Sequence, residues 1–179
     1  MKTRLLGILL ILTQIGFAQE KIITKSGTIL FEASVPSFEE VKAKNESVSC
    51  VINTKTGEIA SLALMKGFRF KIALMEEHFN ENYVESDSYP KATFKGKIEN
   101  FDFNKIDQNV REYNVKGTME MHGERKEISI IAKIKKTTNG LEFVSNFDLN
   151  ADDFNIKIPS IVSKKVSKKV NVDLNFNLK

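Results

Sequence analysis

Tyr113-Asn114-Val115-Lys116-Gly117-Thr118-Met119-Glu120-Met121 is the stretch on which the fold turns. Tyr113, Val115, Gly117, Met119 and Met121 share one parity, and polar residues fill the other. Successive side chains of a strand point to opposite faces, so this is a strand with one apolar and one wet face. The pattern spreads outward. Ala92, Phe94, Gly96 and Ile98 alternate with Thr93, Lys95 and Lys97, and Ile128, Ile130, Ala132 and Ile134 mostly alternate with polar partners. Leu141, Phe143, Ser145, Phe147 and Leu149 share a parity, as do Val170, Val172, Leu174, Phe176 and Leu178.

Strands are therefore expected over residues 28–34, 48–54, 58–65, 68–72, 92–100, 112–121, 125–136, 141–149, 152–158 and 170–178, with residues 39–46 read as a polar loop or one helical turn. In the third of these, Ala60, Leu62 and Leu64 are placed on one face. The period changes once. Leu74, His78, Phe79 and Tyr83 fall at three- and four-residue spacing, which predicts a short helix over 73–83. Residues 160–169 fit a short helix or an irregular rim segment.

The expected class is all-β. Hairpin connections leave no room for crossover helices, so the sheet is antiparallel. About eight strands in one layer curl, and closure into a barrel removes exposed edges. A two-sheet sandwich is the rival arrangement. Gly96 and Gly117 lie on the apolar parity inside strands, where glycine marks a sharp bend or a close approach.

Residues 1–18 read as a secretory signal peptide: basic Lys2 and Arg4, an apolar run from Leu5 to Phe17, and small Gly16 and Ala18 before the expected cleavage at Gln19. The run is short of the about 20 residues that span a bilayer. One domain, residues 19–179, is expected to follow and to reside in the periplasm or outside the cell. Without Lys2 and Arg4 the balance is 25 basic to 23 acidic residues, too even for a general nucleic-acid binder. Cys50 is the only cysteine and shares a parity with Val48 and Ile52, so it reads as a small core hydrophobe. Asn45-Glu46-Ser47 is a formal glycosylation sequon.

Catalytic patterns are sparse. His78 and His122 are the only histidines, and neither has a zinc-ligand spacing. No nucleophile elbow or glycine-rich phosphate loop occurs. Metal-dependent hydrolysis on the two histidines is the enzyme alternative; the reading adopted is that of a non-enzyme with no cofactor.

Three pieces together resemble the YceI-like family, also described as polyisoprenoid- or lipid-binding. They are Gly27-Thr28-Ile29-Leu30-Phe31, the stretch from His78-Phe79 through Tyr83 to Tyr89-Pro90-Lys91-Ala92-Thr93-Phe94, and Tyr113 to Met119 continuing to His122-Gly123 and Lys126. Asp153-Phe154-Asn155-Ile156-Lys157-Ile158-Pro159 is also similar. The resemblance implies a lipocalin-like antiparallel β-barrel, with the helix capping one end, that holds an isoprenoid or other long-chain amphiphile. The residues expected to line the barrel are Phe31, Leu62, Phe70, Leu74, Phe79, Phe94, Val115, Met119, Met121, Phe143, Phe147 and Phe154. Transient contact with a membrane surface, through Lys164–Lys169, and a homodimer are the other expected associations. The alternative is a periplasmic stress-related structural domain whose interior is packed and empty.

Overall fold

The computed structural model describes residues 20–179. The expected signal peptide lies outside the described residues. Among the described residues there are nine strands and one α-helix: β1 (Lys21–Ser34), β2 (Lys42–Asn53), β3 (Glu58–Leu64), β4 (Arg69–Phe70), α1 (Ala73–His78), β5 (Lys91–Ile98), β6 (Arg111–Met121), β7 (Glu124–Thr137), β8 (Gly140–Asn150) and β9 (Val166–Leu178). The strand order is β1-β9-β8-β7-β6-β5-β3-β2-β4, and β1 also pairs with β2. That last pairing closes the sheet. The result is an eight-stranded antiparallel barrel, with the two-residue β4 attached to β2.

The alternation in β6 and β8 is seen as expected, with Val115, Leu141, Phe143 and Ser145 buried on the inner face. Several boundaries differ from expectation. β1 begins at Lys21 and β2 at Lys42, earlier than the alternation suggests, because after Ile22 the inward positions carry little apolar signal: Thr24 and Gly27 in β1, Ala43 and Asn45 in β2. Of the expected strand at 68–72 only Arg69–Phe70 pairs, after a 3-10 turn at Met65–Gly67. Residues 152–158 form no strand. A 3-10 turn runs Ala151–Phe154, and Asn155 takes a left-handed conformation (φ 53°) that stops it.

Gly96 and Gly117 face each other across β5 and β6. A Cβ on Gly117 would sit 2.3 Å from the Lys95 carbonyl oxygen, and one on Gly96 would sit 2.4 Å from the Lys116 oxygen. Two backbones thus meet where no side chain fits, which lets the barrel wall bend. Asn45 is 1% exposed, and its Nδ2 donates to the Leu64 carbonyl at 3.0 Å. The sequon's amide is therefore an internal tie, not a surface attachment point. Cys50 is buried, and desolvation pushes its thiol up to about 12, so it behaves as a core side chain.

One end of the barrel is shut. Ile52, Ile98, Val115, Ile134, Leu141 and Leu178 are 0–1% exposed and fill it. The loop from Asn100 to Val110 closes over them, with Ile106 buried and the Lys136 amide donating to the Asp107 carbonyl at 2.6 Å.

Candidate functional site

Above this packed layer the barrel is hollow. The cavity encloses about 480 Å³, inside the about 300–1,000 Å³ typical of small-molecule pockets. Its floor includes Phe143 and Phe176, which stack with centroids 6.0 Å apart, together with Ile59 and Ile130. Phe94, Met119, Met121, Phe147, Leu149 and Leu174 line the walls. The walls are apolar because β1, β3 and β5 to β9 deliver their inward parity here, and they are hollow because these side chains do not meet across the axis. Met119 and Met121 add flexible, polarizable surface that can conform to an irregular apolar chain.

Aromatic rings crowd the mouth. Phe31 of β1 lies 5.3 Å from Phe68, 5.7 Å from Phe70 and 5.3 Å from Phe79, centroid to centroid. Phe70 and Phe79 are 5.1 Å apart. Such offset and edge contacts contribute about 0.5–1.5 kcal/mol each beyond area burial. Phe79 opens the π-helical turn Phe79–Tyr83 that extends α1, so the cluster ties the helix onto the barrel rim. Glu76 strengthens the tie: its carboxylate accepts from the Phe70 amide at 3.1 Å and from Arg69 at 2.8 Å. Met75, His78, Phe79 and Tyr83 face the cavity from this segment.

Polar groups are few and sit mostly toward the rim. Ser61 lies on the inner wall, while Glu39, His78, Thr93, Asn150, Lys165 and Ser167 border the same space. His122 is built in differently. It turns β6 into β7 with a positive φ of 52°, followed by Gly123 at 78°. Its Nδ1 donates to the Phe154 carbonyl at 2.9 Å, since a carbonyl only accepts. That leaves Nε2 3.4 Å from Glu85 Oε2, an ion-pair distance when the ring is protonated. Tyr89 packs on the ring at 4.5 Å. His122 thus staples three segments whose neighbours Met121, Val84 and Phe154 line the cavity. Among the described residues no group of three His, Cys, Asp or Glu side chains could hold a metal ion.

Nine of the twelve expected side chains border the cavity: Phe31, Phe70, Phe79, Phe94, Met119, Met121, Phe143, Phe147 and Phe154. Three do not. Leu62 is 36% exposed, because the inward parity of β3 is Ile59, Ser61 and Ala63 and not Ala60, Leu62 and Leu64. Leu74 is 57% exposed on the outer side of α1, while its neighbour Met75 faces in. Val115 points inward but lies in the packed layer below the floor, fully buried. Phe68, Met75, Ile156, Ile158 and Val162 also line the cavity and were not anticipated. Ile156 and Ile158 share a parity with Phe154, which is the signal that could have placed them; Val162 stands at four-residue spacing from Val166 and Val170, which line the cavity too.

A closed antiparallel barrel with one packed end and one hollow, aromatic-rimmed end defines the class: a lipocalin-like β-barrel with an internal apolar chamber. The YceI-like domain model matches residues 13–178, and the chain belongs to that family. No curated protein matches the chain. Among solved structures, a polyisoprenoid binding domain from Saccharophagus degradans, implicated in plant cell wall breakdown, is similar at a TM-score of 0.75 and 14% identity, over 89% of this chain and 96% of that one. Burkholderia cenocepacia BcnA is similar at 0.69 and 13%, covering 84% of this chain and 94% of that one. The Campylobacter jejuni YCEI protein gives 0.60 and 18%, covering 81% and 89%. At these identities the likeness is one of fold.

Proposed function

We propose that this protein is an exported carrier that holds an isoprenoid or similar long-chain amphiphile in its barrel. The observation that carries the reading is the 480 Å³ apolar chamber, open at a rim where the polar groups gather. A benzene-sized cavity measures about 150 Å³, so the chamber takes roughly three times that, on the order of 15–20 carbons. Each buried methylene contributes about 0.8 kcal/mol, a gross gain of about 12–16 kcal/mol against an association cost of about 4–15 kcal/mol. The tail supplies affinity, and Glu39, His78, Asn150, Lys165 and Ser167 meet whatever polar head remains at the mouth.

The polyisoprenoid-binding description of the Saccharophagus degradans domain supports the ligand class, and the basic, then apolar, segment at residues 1–18 supports export. An apolar cargo of this kind enters from a lipid phase, so the reading includes transient contact with a membrane surface. The chamber favours this reading over a packed structural domain.

The test is mass spectrometry of an organic extract from protein exported with its own leader and purified without detergent. The expected result is a stoichiometric long-chain species. An empty extract, with native mass showing bare protein from a host that makes such lipids, would overturn the carrier reading.

A further inference from the structure

Three of the eight exposed large hydrophobic side chains lie on segments that frame the mouth, and they include the most exposed of all. Ile161 is 86% exposed, Leu74 57% and Phe38 47%. Each lies beside or among residues that line the cavity: Val162 next to Ile161, Met75 next to Leu74, and Phe38 itself. Ile161 is held outward by successive turns, with Val162 donating to the Pro159 carbonyl at 3.0 Å and Lys165 to the Val162 carbonyl at 2.8 Å. A large aliphatic side chain fixed at such exposure stands poised for an apolar medium.

The stretch of chain that carries Ile161 has charge of one sign. Between Asp153 and Asp173 the chain carries Lys157, Lys164, Lys165, Lys168 and Lys169 and no acidic residue. Two of these are committed elsewhere: Lys168 pairs with Asp152 at 2.8 Å and Lys169 with Asp148 at 2.9 Å. Lys157, Lys164 and Lys165 have no ion-pair partner among the described residues, and Lys165 borders the cavity. Across the end of β1 from Val166, Glu40 is paired with Lys42 at 3.7 Å, and Glu39 borders the mouth.

We infer that the mouth lip around Ile161, with Lys164 and Lys165 beside it, docks on an anionic phospholipid bilayer. Ile161 enters the headgroup layer with Leu74 and Phe38 near it, and the two lysines meet lipid phosphates. Amphipathic surfaces of this composition bind interfaces through apolar burial plus attraction to anionic lipid. Continuity between Ile161 and the cavity-lining Val162 gives a tail an apolar route from bilayer to chamber. The inference rests on the carrier reading for its purpose, but its geometry is independent of the cargo.

The test is co-sedimentation of the exported protein with vesicles of phosphatidylcholine alone and of phosphatidylcholine mixed with phosphatidylglycerol, at low and high salt. Wild type is expected to bind the anionic vesicles and to lose binding at high salt. Lys164→Glu with Lys165→Glu should weaken partitioning by roughly tenfold or more, since each lysine near such a surface is worth about 1 kcal/mol. Ile161→Ser should weaken it roughly threefold or more through lost apolar burial. Lys95→Glu with Lys97→Glu, on the outer wall of β5, carries the same charge change and should bind within about twofold of a net-charge-only effect, well short of the lip variant. Ile161 and the four lysines are exposed, so a thermal melt is expected to show all variants folded. Equal loss in the lip and wall variants, or binding to neutral vesicles that the lip variants do not alter, would overturn the inference. Extracting bound lipid from the same samples separates the two readings. Cargo present without vesicle binding sinks the docking lip alone, and vesicle binding with an empty extract supports the lip and sinks the cargo.

Discussion

Ser61→Phe puts a benzene ring into the chamber from the middle of β3. Ser61 lines the cavity and pairs across the sheet with Cys50 on one side and Phe94 on the other. A benzene-sized void is about 150 Å³, so the new ring fills roughly a third of the 480 Å³ available. A bound chain then loses room for about six carbons, worth about 5 kcal/mol at about 0.8 kcal/mol per methylene. Sliding toward the mouth returns about half. The remaining about 2–3 kcal/mol predicts a Kd weakened by roughly 30- to 150-fold. Stability moves the other way or not at all, because an apolar ring enters space that is already empty. The assay is displacement of an environment-sensitive fluorophore by a diterpene alcohol, run beside urea denaturation. A packed interior predicts the opposite pair of results. Overpacking would cost about 1–3 kcal/mol of stability, and binding would not respond. Unchanged displacement by a variant as stable as wild type would likewise refute the chamber as the binding site.

Gly117→Ala forces a Cβ to within 2.3 Å of the Lys95 oxygen and is expected to lower stability by about 1–3 kcal/mol in urea denaturation. His122→Ala removes the hydrogen bond to the Phe154 carbonyl and leaves that acceptor without its partner, a loss of about 1–3 kcal/mol that hydrogen exchange should localise to residues 84–90 and 151–154. The Cys50 thiol should resist alkylation in the native state and react once the chain unfolds. Its folded pKa, raised to about 12 by burial, means the native state holds a proton that the unfolded state releases from about pH 9 upward. The stabilising contribution is thus complete below about pH 9 and is lost as pH rises toward 12, and Cys50→Val should remove that component from a pH–stability profile.

Alternation reports which face a side chain takes, not how far along the barrel it stands. Val115 and Met119 share a parity in one strand, yet Val115 is sealed in the packed end and Met119 faces the chamber. The two-residue period carries no information on height, so a cavity and a core look alike in β6. In β3 even the face was misread. Ala60, Leu62 and Leu64 are together more apolar than Ser61 and Ala63, but the outward row is the more apolar one. Beyond Ile59 the inner wall there is built from small residues, Ser61 and Ala63. The same logic hid the first half of β2, whose inward positions are Ala43 and Asn45. Phe154 borders the cavity for a reason other than alternation: it ends a 3-10 turn rather than riding a strand. The helix was legible because Phe79 and Tyr83 follow its spacing, and only tertiary packing decides that Met75 rather than Leu74 turns inward.

The barrel separates stability from binding along its axis. Ile52, Ile98, Val115, Ile134, Leu141 and Leu178 are close to fully buried at the shut end, where each large-to-small change would cost about 0.5–5 kcal/mol. Met119, Met121, Phe147 and Leu149 at the open end are only partly buried and already border empty space. Removing part of such a side chain forfeits fewer contacts, since one side of it has none to lose. Sequence change at the open end is therefore tolerated by the fold while it reshapes the chamber. Identities of 13–18% to barrels of the same architecture fit that arrangement. Exchanging Met119 for Leu should accordingly leave the urea midpoint within error and shift ligand preference, whereas Ile134→Ala at the shut end should cost about 2–5 kcal/mol and leave the preference of the folded fraction unchanged. A Met119 variant that lost stability as Ile134→Ala does would show the open end to be load-carrying core, and the axial division would fail.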